Sequence, residues 1–371
     1  MKILALSYEF PPVGGGGGWS TYEVLMALSK KGYIADVVTM RLPALLKRSK
    51  VSKNVTVHRV YAARKDNNRC SIISAAVYLV TGWYQAQKLV KNNDYDVIHA
   101  TFIFPSGLIA VLISMQYKVP FIVTAHGSDV PGHNHTFDRV FKFLRKPWSY
   151  VVRSATVVIT VSDYLSQLIV KESDRKIVVI PNSVTIDDFP LTTYGKNILV
   201  VGRLQGFKNV DQVIAAFVRS RAGSLGYRLI VAGDGPDRGR LERLAAKEKL
   251  IDFYGRLSRS DLIELYQQSS ILISASQFES FGGVLMEAMA SGLTVIATDV
   301  GGCRELVGKT GTLVPVGRID NLVAAIDDCV EQPSRITEMG SRARVRIKEY
   351  FDTQNVASRY DKILRFSKKI K

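Results

Sequence analysis

The sequence predicts an α/β protein built from two doubly wound domains with parallel sheets. Short apolar, β-rich runs alternate with helical patterns in the first half of the chain, and this alternation restarts after Pro181 and Pro190. Such alternation is typical of βαβ units, whose parallel sheets are covered by helices on both faces. The length of 371 residues also exceeds what one hydrophobic core usually serves. These three observations together favour two domains of similar construction.

The predicted strands form two series along the chain. The first covers residues 3–7, 35–40, 55–61, 96–100, 120–125, 156–161 and 177–181, and the second covers residues 197–202, 227–233, 252–255, 270–276, 293–298 and 312–316. We expect an N-terminal domain over residues 1–188, a second domain over 189–350 and a final segment over 351–371, with a hinge near 185–195. Ligands in such sheets bind at the carboxyl ends of strands, so both domains are expected to open toward one cleft.

The charge balance of the chain restricts its partners. The formal net charge is +17, and residues 1–185 hold 23 lysines and arginines against 11 aspartates and glutamates. Basic residues cluster with apolar ones at residues 41–53, 64–69 and 142–148. No nucleic-acid-reading module is recognisable, so a nucleic acid is not expected as a partner. A solvated basic surface and docking on an anionic membrane leaflet are the two interpretations left open.

The sequence favours a cytoplasmic location. Cys70, Cys303 and Cys329 lie far apart and form neither a disulfide framework nor a metal-binding spacing, which suits a reducing compartment. The apolar run at residues 3–7 is too short for a signal peptide. The longest apolar stretch, residues 102–117, is interrupted by Pro105 and falls short of the roughly 20 residues of a membrane span. We therefore expect a cytoplasmic protein, either free or peripheral on the cytoplasmic face of a membrane.

Two glutamates, Glu279 and Glu287, lie on either side of a glycine pair that opens a helix. The apolar spacing of the following residues predicts that this helix starts between Ser280 and Gly282 and stops at Gly292. Unpaired N–H groups and the helix dipole favour an anion at such an N-terminus. A phosphate beside two carboxylates that can accept hydrogen bonds from hydroxyls is the pattern expected for a sugar nucleotide.

Two further segments predict contacts to a ligand at strand ends. Arg203 and Lys208 follow the strand at residues 197–202 and can clamp a diphosphate, stabilising the charge that grows on it as a sugar leaves. Five glycines at residues 14–18 follow the first strand and allow the backbone to approach a ligand closely. These glycines lack the lysine of a phosphate-binding loop, which argues against an ATPase.

Taken in order, these motifs resemble the retaining glycosyltransferases of family 4, which have the two-domain GT-B fold. The resemblance rests on Glu279 to Glu287 as an E-x7-E signature and on the landmarks His126-Gly127-Ser128-Asp129, Pro181-Asn182-Ser183-Val184, Gly202-Arg203-Leu204 with Lys208, Gly233-Asp234-Gly235-Pro236, and Gly301-Gly302 with Glu305. The chain departs from the usual pattern at Ser183, Thr294, Cys303 and Arg304. No charged site residue is lost, so these departures bear on the choice of donor.

The resemblance implies transfer of a hexose-type sugar from a nucleoside diphosphate, bound by the second domain, to a lipid-linked or glycan acceptor on the first. The implied catalytic set is His126, Asp129, Arg203, Lys208 and Glu279. The implied donor-binding set is Gly16, Gly17, Gly202, Arg203, Lys208, Gly233, Ser280, Phe281, Gly282, Gly283, Val284 and Glu287. By this analogy Glu287 meets the ribose, Glu279 and His126 meet the donor sugar, and Asp129 has a positioning role. The family uses a helix dipole and cations in place of a metal, so neither a metal nor a cofactor is expected, and its last helix packs back on the first domain.

Other functions fit the sequence less well. Two glutamates can form a glycosidase pair, but here they lie beside a diphosphate clamp. Asp94 and Asp96 form a D-x-D pattern that leads into a strand, and His133 with His135 lacks the further ligands of a zinc site. A sugar-nucleotide 2-epimerase of the same architecture and a non-catalytic, membrane-associated subunit that binds a sugar nucleotide stay open. So does the choice between UDP, GDP and ADP.

Overall fold

The computed structural model describes residues 1–64, 70–134 and 138–370. The chain divides into two compact units, which we call unit 1 (Met1–Ser183 with Thr353–Lys371) and unit 2 (Val184–Asp352). The predicted boundary at residue 188 falls in the 3₁₀ turn Ile186–Asp188, at the start of unit 2. The fold class predicted from the sequence, two Rossmann-like parallel-sheet domains with helices, is confirmed.

In the described part of unit 1, eight strands form one sheet in the order β3-β4-β2-β1-β5-β6-β7-β8. Their bounds are β1 (Lys2–Ser7), β2 (Ile34–Met40), β3 (Arg48–Ser52), β4 (Val55–Val60), β5 (Val97–Thr101), β6 (Phe121–Ala125), β7 (Val157–Thr160) and β8 (Ile177–Val179). Strand β3 was not predicted, and it adds an antiparallel edge to the otherwise parallel sheet by pairing with β4. Its charged sequence lacks the apolar run of a buried strand because an edge strand is covered on fewer sides.

The helices of unit 1 that precede unit 2 are α1 (Gly16–Lys30), α2 (Ile72–Asn92), α3 (Leu108–Tyr117), α4 (Asp138–Ser154) and α5 (Asp163–Val170). Helices α2, α3 and α4 pack side by side. The stretch at residues 102–117 contains the short helix α3, as the break at Pro105 led us to expect, and this helix is buried on one side only. In the described ranges, no helix combines the length and hydropathy that crossing a membrane requires.

Unit 2 contains six parallel strands in the order β11-β10-β9-β12-β13-β14. The strands are β9 (Asn197–Val201), β10 (Arg228–Ala232), β11 (Ile251–Gly255), β12 (Ile271–Ser274), β13 (Thr294–Thr298) and β14 (Thr312–Val314). The helices are α6 (Val210–Arg219), α7 (Arg238–Leu244), α8 (Arg259–Gln267), α9 (Gly283–Ala290), α10 (Cys303–Val307), α11 (Ile319–Val330) and α12 (Pro333–Arg346). The strand order reverses between β9 and β12, which is where doubly wound sheets bind ligands.

The final helix, α13 (Thr353–Lys368), packs on α1 within unit 1. The Lys31 ammonium donates to Ser358 Oγ at 2.7 Å, and the Tyr33 hydroxyl donates to the Asp361 carboxylate. Tyr360 is buried against β5 and β6, with its hydroxyl 3.3 Å from Thr124 Oγ1. These contacts make α13 part of the hydrophobic core of unit 1.

Candidate functional site

A pocket in unit 2 opens at the reversal point between β9 and β12. It is lined by Val200, Val201, Gly202, Arg203, Leu204, Lys208, Val210, Ile273, Ser274, Ala275 and Ser276. Arg203 and Lys208 were predicted as a diphosphate clamp, and both contribute to this one pocket. The two cations therefore lie at the carboxyl edge of the sheet.

The loop that carries the two cations is fixed by backbone packing. A side chain at Gly233 would place its Cβ 1.8 Å from the carbonyl oxygen of Gly202, so the two loops touch directly. Gly233 adopts a left-handed φ of +150°, and its N–H donates to the Gly255 oxygen at 2.7 Å. At the other end of the loop, Asn209 donates through Nδ2 to the Ala275 oxygen at 3.0 Å. Gly233, predicted as a donor contact, thus has an observed role in shaping the loop that carries Arg203 and Lys208.

Glu279 lies beside Lys208, one of the two cations of the pocket. Its Oε1 accepts from the Lys208 ammonium and, at 3.1 Å, from Ser276 Oγ. Its own carbonyl oxygen accepts from Gly302 N at 3.2 Å, and a Cβ at Gly301 would lie 1.8 Å from that oxygen. The Gly301-Gly302 turn therefore holds the backbone of Glu279 in place, whereas Gly233 packs against Gly202, the residue before Arg203.

Helix α9 begins at Gly283, one residue after the predicted start. Gly282 has φ +97°, outside the helical region, which explains the later start. A Cβ at Gly283 would meet nothing within 4 Å, so the backbone of this first turn is accessible. Ser280 and Val284 are half-buried at the same turn, whereas Phe281 is buried and packs edge-on against Phe351 at 5.4 Å. The Phe281 side chain belongs to the core, so at this position only the backbone is left to meet a donor.

Glu287 is held by two side chains that the sequence analysis did not single out. Its Oε1 accepts from Arg259 Nη1 at 3.4 Å, and its Oε2 accepts from the Tyr266 hydroxyl at 3.0 Å. Burial, followed by the charge of Glu287, raises the pKa of Tyr266 well above its ordinary value, so this hydroxyl stays a donor. Arg259 also lies over the Phe189 ring at 5.4 Å. Helical periodicity of α8 marks Tyr266 as a core residue, and nothing in the sequence indicates its partner.

In unit 1, His126 and Asp129 lie in the loop after β6. The Asp129 carboxylate accepts from three backbone N–H groups, those of Ile103 at 2.7 Å and of His126 and Gly127 at 3.0 Å. These bonds make Asp129 the organiser of its loop, in line with a positioning role. Burial, and in second place His99, lowers the pKa of His126 to about 3, so its imidazole is neutral at physiological pH.

The glycine run of unit 1 lies beside the same histidine. The predicted loop is shorter than expected, since α1 already begins at Gly16. A Cβ at Gly16 would meet nothing within 4 Å, but one at Gly17 would lie 2.6 Å from Phe102 Cζ and 3.1 Å from His126 Cγ. Gly17 and His126 are therefore neighbours, although they are far apart in sequence.

In the two motifs considered as metal sites, the D-x-D pattern and the histidine pair, Asp96 and His133 contact other protein side chains or backbone. Asp96 accepts from Lys2 N at 2.7 Å and pairs with the Lys368 ammonium at 2.9 Å, which fits a strand entry. His133 is buried with its ring 5.7 Å from that of Tyr164, and His135 lies outside the described residues. Within the described ranges, no three His, Cys, Asp or Glu residues gather as a metal site would require.

Both units of the chain match known protein families. The family described as "Glycosyltransferase Family 4" matches residues 14–188, and "Glycosyl transferases group 1" matches residues 186–346. The chain belongs to the family 4 glycosyltransferases. The family inferred from the sequence is confirmed, and the two matched segments cover most of unit 1 before residue 184 and most of unit 2.

Characterised relatives span nearly the whole of this glycosyltransferase. A glycogen synthase of Mycobacterium tuberculosis (strain H37Rv) is 27% identical, with 96% of this chain and 93% of the relative covered. An N-acetyl-alpha-D-glucosaminyl L-malate synthase of Bacillus anthracis is 24% identical, with 98% and 97% covered. These relatives differ in the substrates their names state, so they support the activity class and leave the substrates open.

Solved structures share the fold of this glycosyltransferase. Sucrose-phosphate synthase (tll1590) from Thermosynechococcus elongatus matches with a TM-score of 0.84 and 22% identity over 99% of both chains. Anabaena Alr3699/HepE in complex with UDP-glucose matches with a TM-score of 0.77 and 19% identity, over 99% of this chain and 100% of the other. The two structures thus match the GT-B architecture over its full length.

Proposed function

We propose that this glycosyltransferase is a retaining hexosyltransferase that moves a sugar from a nucleoside diphosphate to a hydroxyl of a lipid-linked or glycan acceptor. The observation that carries the proposal is the unit 2 pocket, where Arg203 and Lys208 lie together and Glu279 accepts from Lys208. The cations fit a diphosphate, and the carboxylate fits sugar hydroxyls. The UDP-glucose complex of HepE supports a nucleoside-diphosphate hexose as the donor.

The proposed chemistry depends on fixed charges in unit 2. When the bond between the sugar and the β-phosphate breaks, negative charge grows on the leaving diphosphate. Arg203 and Lys208 stabilise that charge more in the transition state than in the bound donor, which is the condition for a faster reaction. We therefore propose that no divalent metal is needed. In unit 1, the neutral His126 and the loop organiser Asp129 are proposed to position the sugar, without covalent chemistry.

The proposal is tested by titrating the purified protein with UDP-, GDP- and ADP-hexoses in two parallel series, one with Mg²⁺ and one with EDTA. A donor at 100 times its dissociation constant adds about 2.7 kcal/mol of stability, which raises the melting temperature by several degrees. We expect one nucleotide to give this shift and to be released slowly from its sugar by hydrolysis. The anomeric configuration of a transferred sugar, read by NMR, then tests retention.

Each contrary outcome identifies a different error. No shift with any nucleotide would contradict the donor assignment, and a shift that EDTA abolishes would contradict metal independence. Conversion of the sugar nucleotide to an epimer without any acceptor would establish the epimerase alternative. Binding with neither hydrolysis nor transfer to any acceptor tested would favour the non-catalytic subunit.

We also propose that an anionic membrane surface is a partner of unit 1. Large apolar side chains on α2, α3 and α4 are exposed, and Gln87–Gln116 and Tyr150–Met115 contacts join these helices into one face. We call it the docking face; it comprises Val80, Tyr84, Met115, Phe143 and Tyr150 with the exposed Lys88, Lys91, Lys142 and Lys146. Phe143 is 86% exposed. Trp148, which belongs to the same basic cluster in the sequence, is instead buried, and its Nε1 donates to the backbone carbonyl oxygen of Asp129 at 2.8 Å. In the basic cluster at residues 64–69, residues 65–69 lie outside the part of the chain that the structure describes.

Co-sedimentation with vesicles tests the docking face. We expect binding to vesicles of phosphatidylcholine with phosphatidylglycerol and little binding to phosphatidylcholine alone. Each cation contributes about 1 kcal/mol near such a surface, so replacing Lys142 and Lys146 by serine should weaken binding roughly 30-fold. Phe143→Ser should weaken it further, while Tyr254→Ser, at a residue 51% exposed in unit 2, serves as the matched control. Equal binding of all variants, or none by the wild type, would favour a merely solvated surface.

A further inference from the structure

The glycine run of unit 1 wraps around one half-buried carboxylate, that of Glu9. A Cβ at Gly14 would lie 2.4 Å from Glu9 Cβ, and one at Gly18 would lie 3.0 Å from the Glu9 backbone carbonyl. Between these two contacts, Gly15 donates its N–H to Glu9 Oε2 at 2.9 Å. The glycine run therefore packs closely against Glu9. A flexible glycine linker would not make such contacts.

Glu9 is itself fixed by a buried cation. Its Oε1 lies 3.5 Å from Arg64 Nη2, and the Arg64 side chain is 0% exposed while that of Glu9 is 15% exposed. Burial raises the pKa of the Glu9 carboxyl, while the Gly15 N–H and Arg64 act in the opposite direction. Removing one member of such a pair leaves the other charge buried without compensation. Glu9 and Arg64 therefore form one ion pair, and a change to either residue also affects the other.

The opposite side of the glycine run meets the candidate site. Gly17 leaves no room for a side chain beside Phe102 and His126, whose rings are 5.0 Å apart. The first turn of α1 thus lies between Glu9 on one side and His126 on the other. A displacement of the loop at Glu9 would change the distance between the Gly17 backbone and the imidazole.

We propose that Glu9 is a positioning residue: its carboxylate, fixed by Arg64, holds the glycine run against His126 so that the run meets substrate in a single conformation. The inference rests on the proposed function for its effect on turnover, but not for its effect on the loop. Glu9 does not touch reacting atoms in this proposal. It acts through the Gly15 N–H and the packing of Gly14 and Gly18.

The loop is tested first, by hydrogen exchange on Glu9→Gln. The variant keeps the shape of the side chain but loses its charge, and a hydrogen bond to a charged acceptor is stronger than one to a neutral amide. We expect exchange of the segment 10–18 to become about tenfold to a hundredfold faster. Glu9→Asp, which keeps the charge but shortens the side chain, should give an intermediate effect and remains testable if the first variant does not fold.

Turnover of the donor identified by titration is the second readout. We expect Glu9→Gln to lower kcat about tenfold or more while the affinity for the nucleoside diphosphate, which unit 2 binds, stays unchanged. The matched control is Asp36→Asn: Asp36 is 14% exposed, accepts from His58 and Tyr95 at 2.8 Å, and lies on β2 away from the glycine run. It should lose stability without the change in loop exchange or kcat.

Two results would overturn the inference. One is unchanged loop exchange in Glu9→Gln, and the other is the same loss of kcat in Asp36→Asn, which would show a general effect of destabilisation. A wild-type protein that turns over no nucleotide sugar would instead contradict the proposed function. Hydrogen exchange would still decide whether Glu9 holds the loop.

Discussion

Replacing Arg203 by alanine is expected to lower kcat/KM for sugar transfer by roughly ten- to a hundredfold, because a hydrogen bond to a charged group contributes about 1.5–3 kcal/mol. Arg203 lies two residues after the end of β9 and lines the pocket together with Lys208, outside the buried apolar core of unit 2. The loss should therefore appear in catalysis, with the melting temperature of the free protein within a few degrees of the wild type. Steady-state kinetics with the donor found by titration, together with a thermal melt, measures both quantities.

A matched arginine controls for the change in net charge. Arg228 starts β10, so it lies at the amino edge of the same sheet, where its Nη2 pairs with Asp252 at 2.7 Å. Arg228→Ala should leave turnover within about twofold, since an exposed ion pair contributes little to stability. Wild-type turnover in Arg203→Ala, or equal losses in both variants, would contradict the diphosphate clamp. If the two cations act on one diphosphate, the double variant with Lys208→Ala should lose less than the two single losses combined.

The fold was predictable because its evidence is local in sequence. Alternating apolar strands and helices mark βαβ units wherever they occur, and the carboxyl ends of parallel strands then bring Arg203 and Lys208 into one pocket with Ser276. Strand β3 was missed because Arg48–Ser52 is an edge strand whose charged residues face solvent. Its pairing depends on the neighbouring strand and leaves no apolar pattern to detect.

The charged residues of the site could be predicted from the sequence, but the side chains that hold them in place could not. Motif spacing indicated Glu279 and Glu287, whereas the partners Arg259, Tyr266 and Arg64 are distant in sequence and have no fixed spacing to the residues they hold. Phe281 was predicted to bind the donor because it lies within the motif, but its side chain is buried in the core. A motif identifies a segment, while the division of its residues between ligand and core appears only once the segment is packed.

Replacing Glu287 is expected to have a second large effect, on the affinity for the nucleoside diphosphate. Its proposed partner, the ribose of the donor, can be altered as well, so both sides of the contact can be tested. If Glu287 accepts from the ribose hydroxyls, Glu287→Gln should weaken nucleoside diphosphate binding roughly ten- to a hundredfold. The glutamine keeps the size of the side chain and an oxygen for the Tyr266 hydroxyl, which is 3.0 Å from Oε2 in the native carboxylate. Glu287→Ala would in addition leave Arg259 and the buried Tyr266 hydroxyl without this acceptor, so it should also lower the melting temperature.

The decisive measurement compares the nucleoside diphosphate with its 2′,3′-dideoxy analogue by calorimetry on the wild type and on Glu287→Gln. The wild type should lose most of its affinity for the analogue, whereas the variant should bind both ligands with similar, weaker affinity, since the interacting pair is already broken. Tyr266→Phe serves as the control, because it removes a hydrogen bond to Glu287 but leaves the carboxylate in place. An equal loss for the analogue in wild type and variant would show that the ribose is bound elsewhere. If Tyr266→Phe matched the loss in Glu287→Gln, the effect would come from losing the hydrogen bond between Tyr266 and Glu287 and not from a contact with the donor.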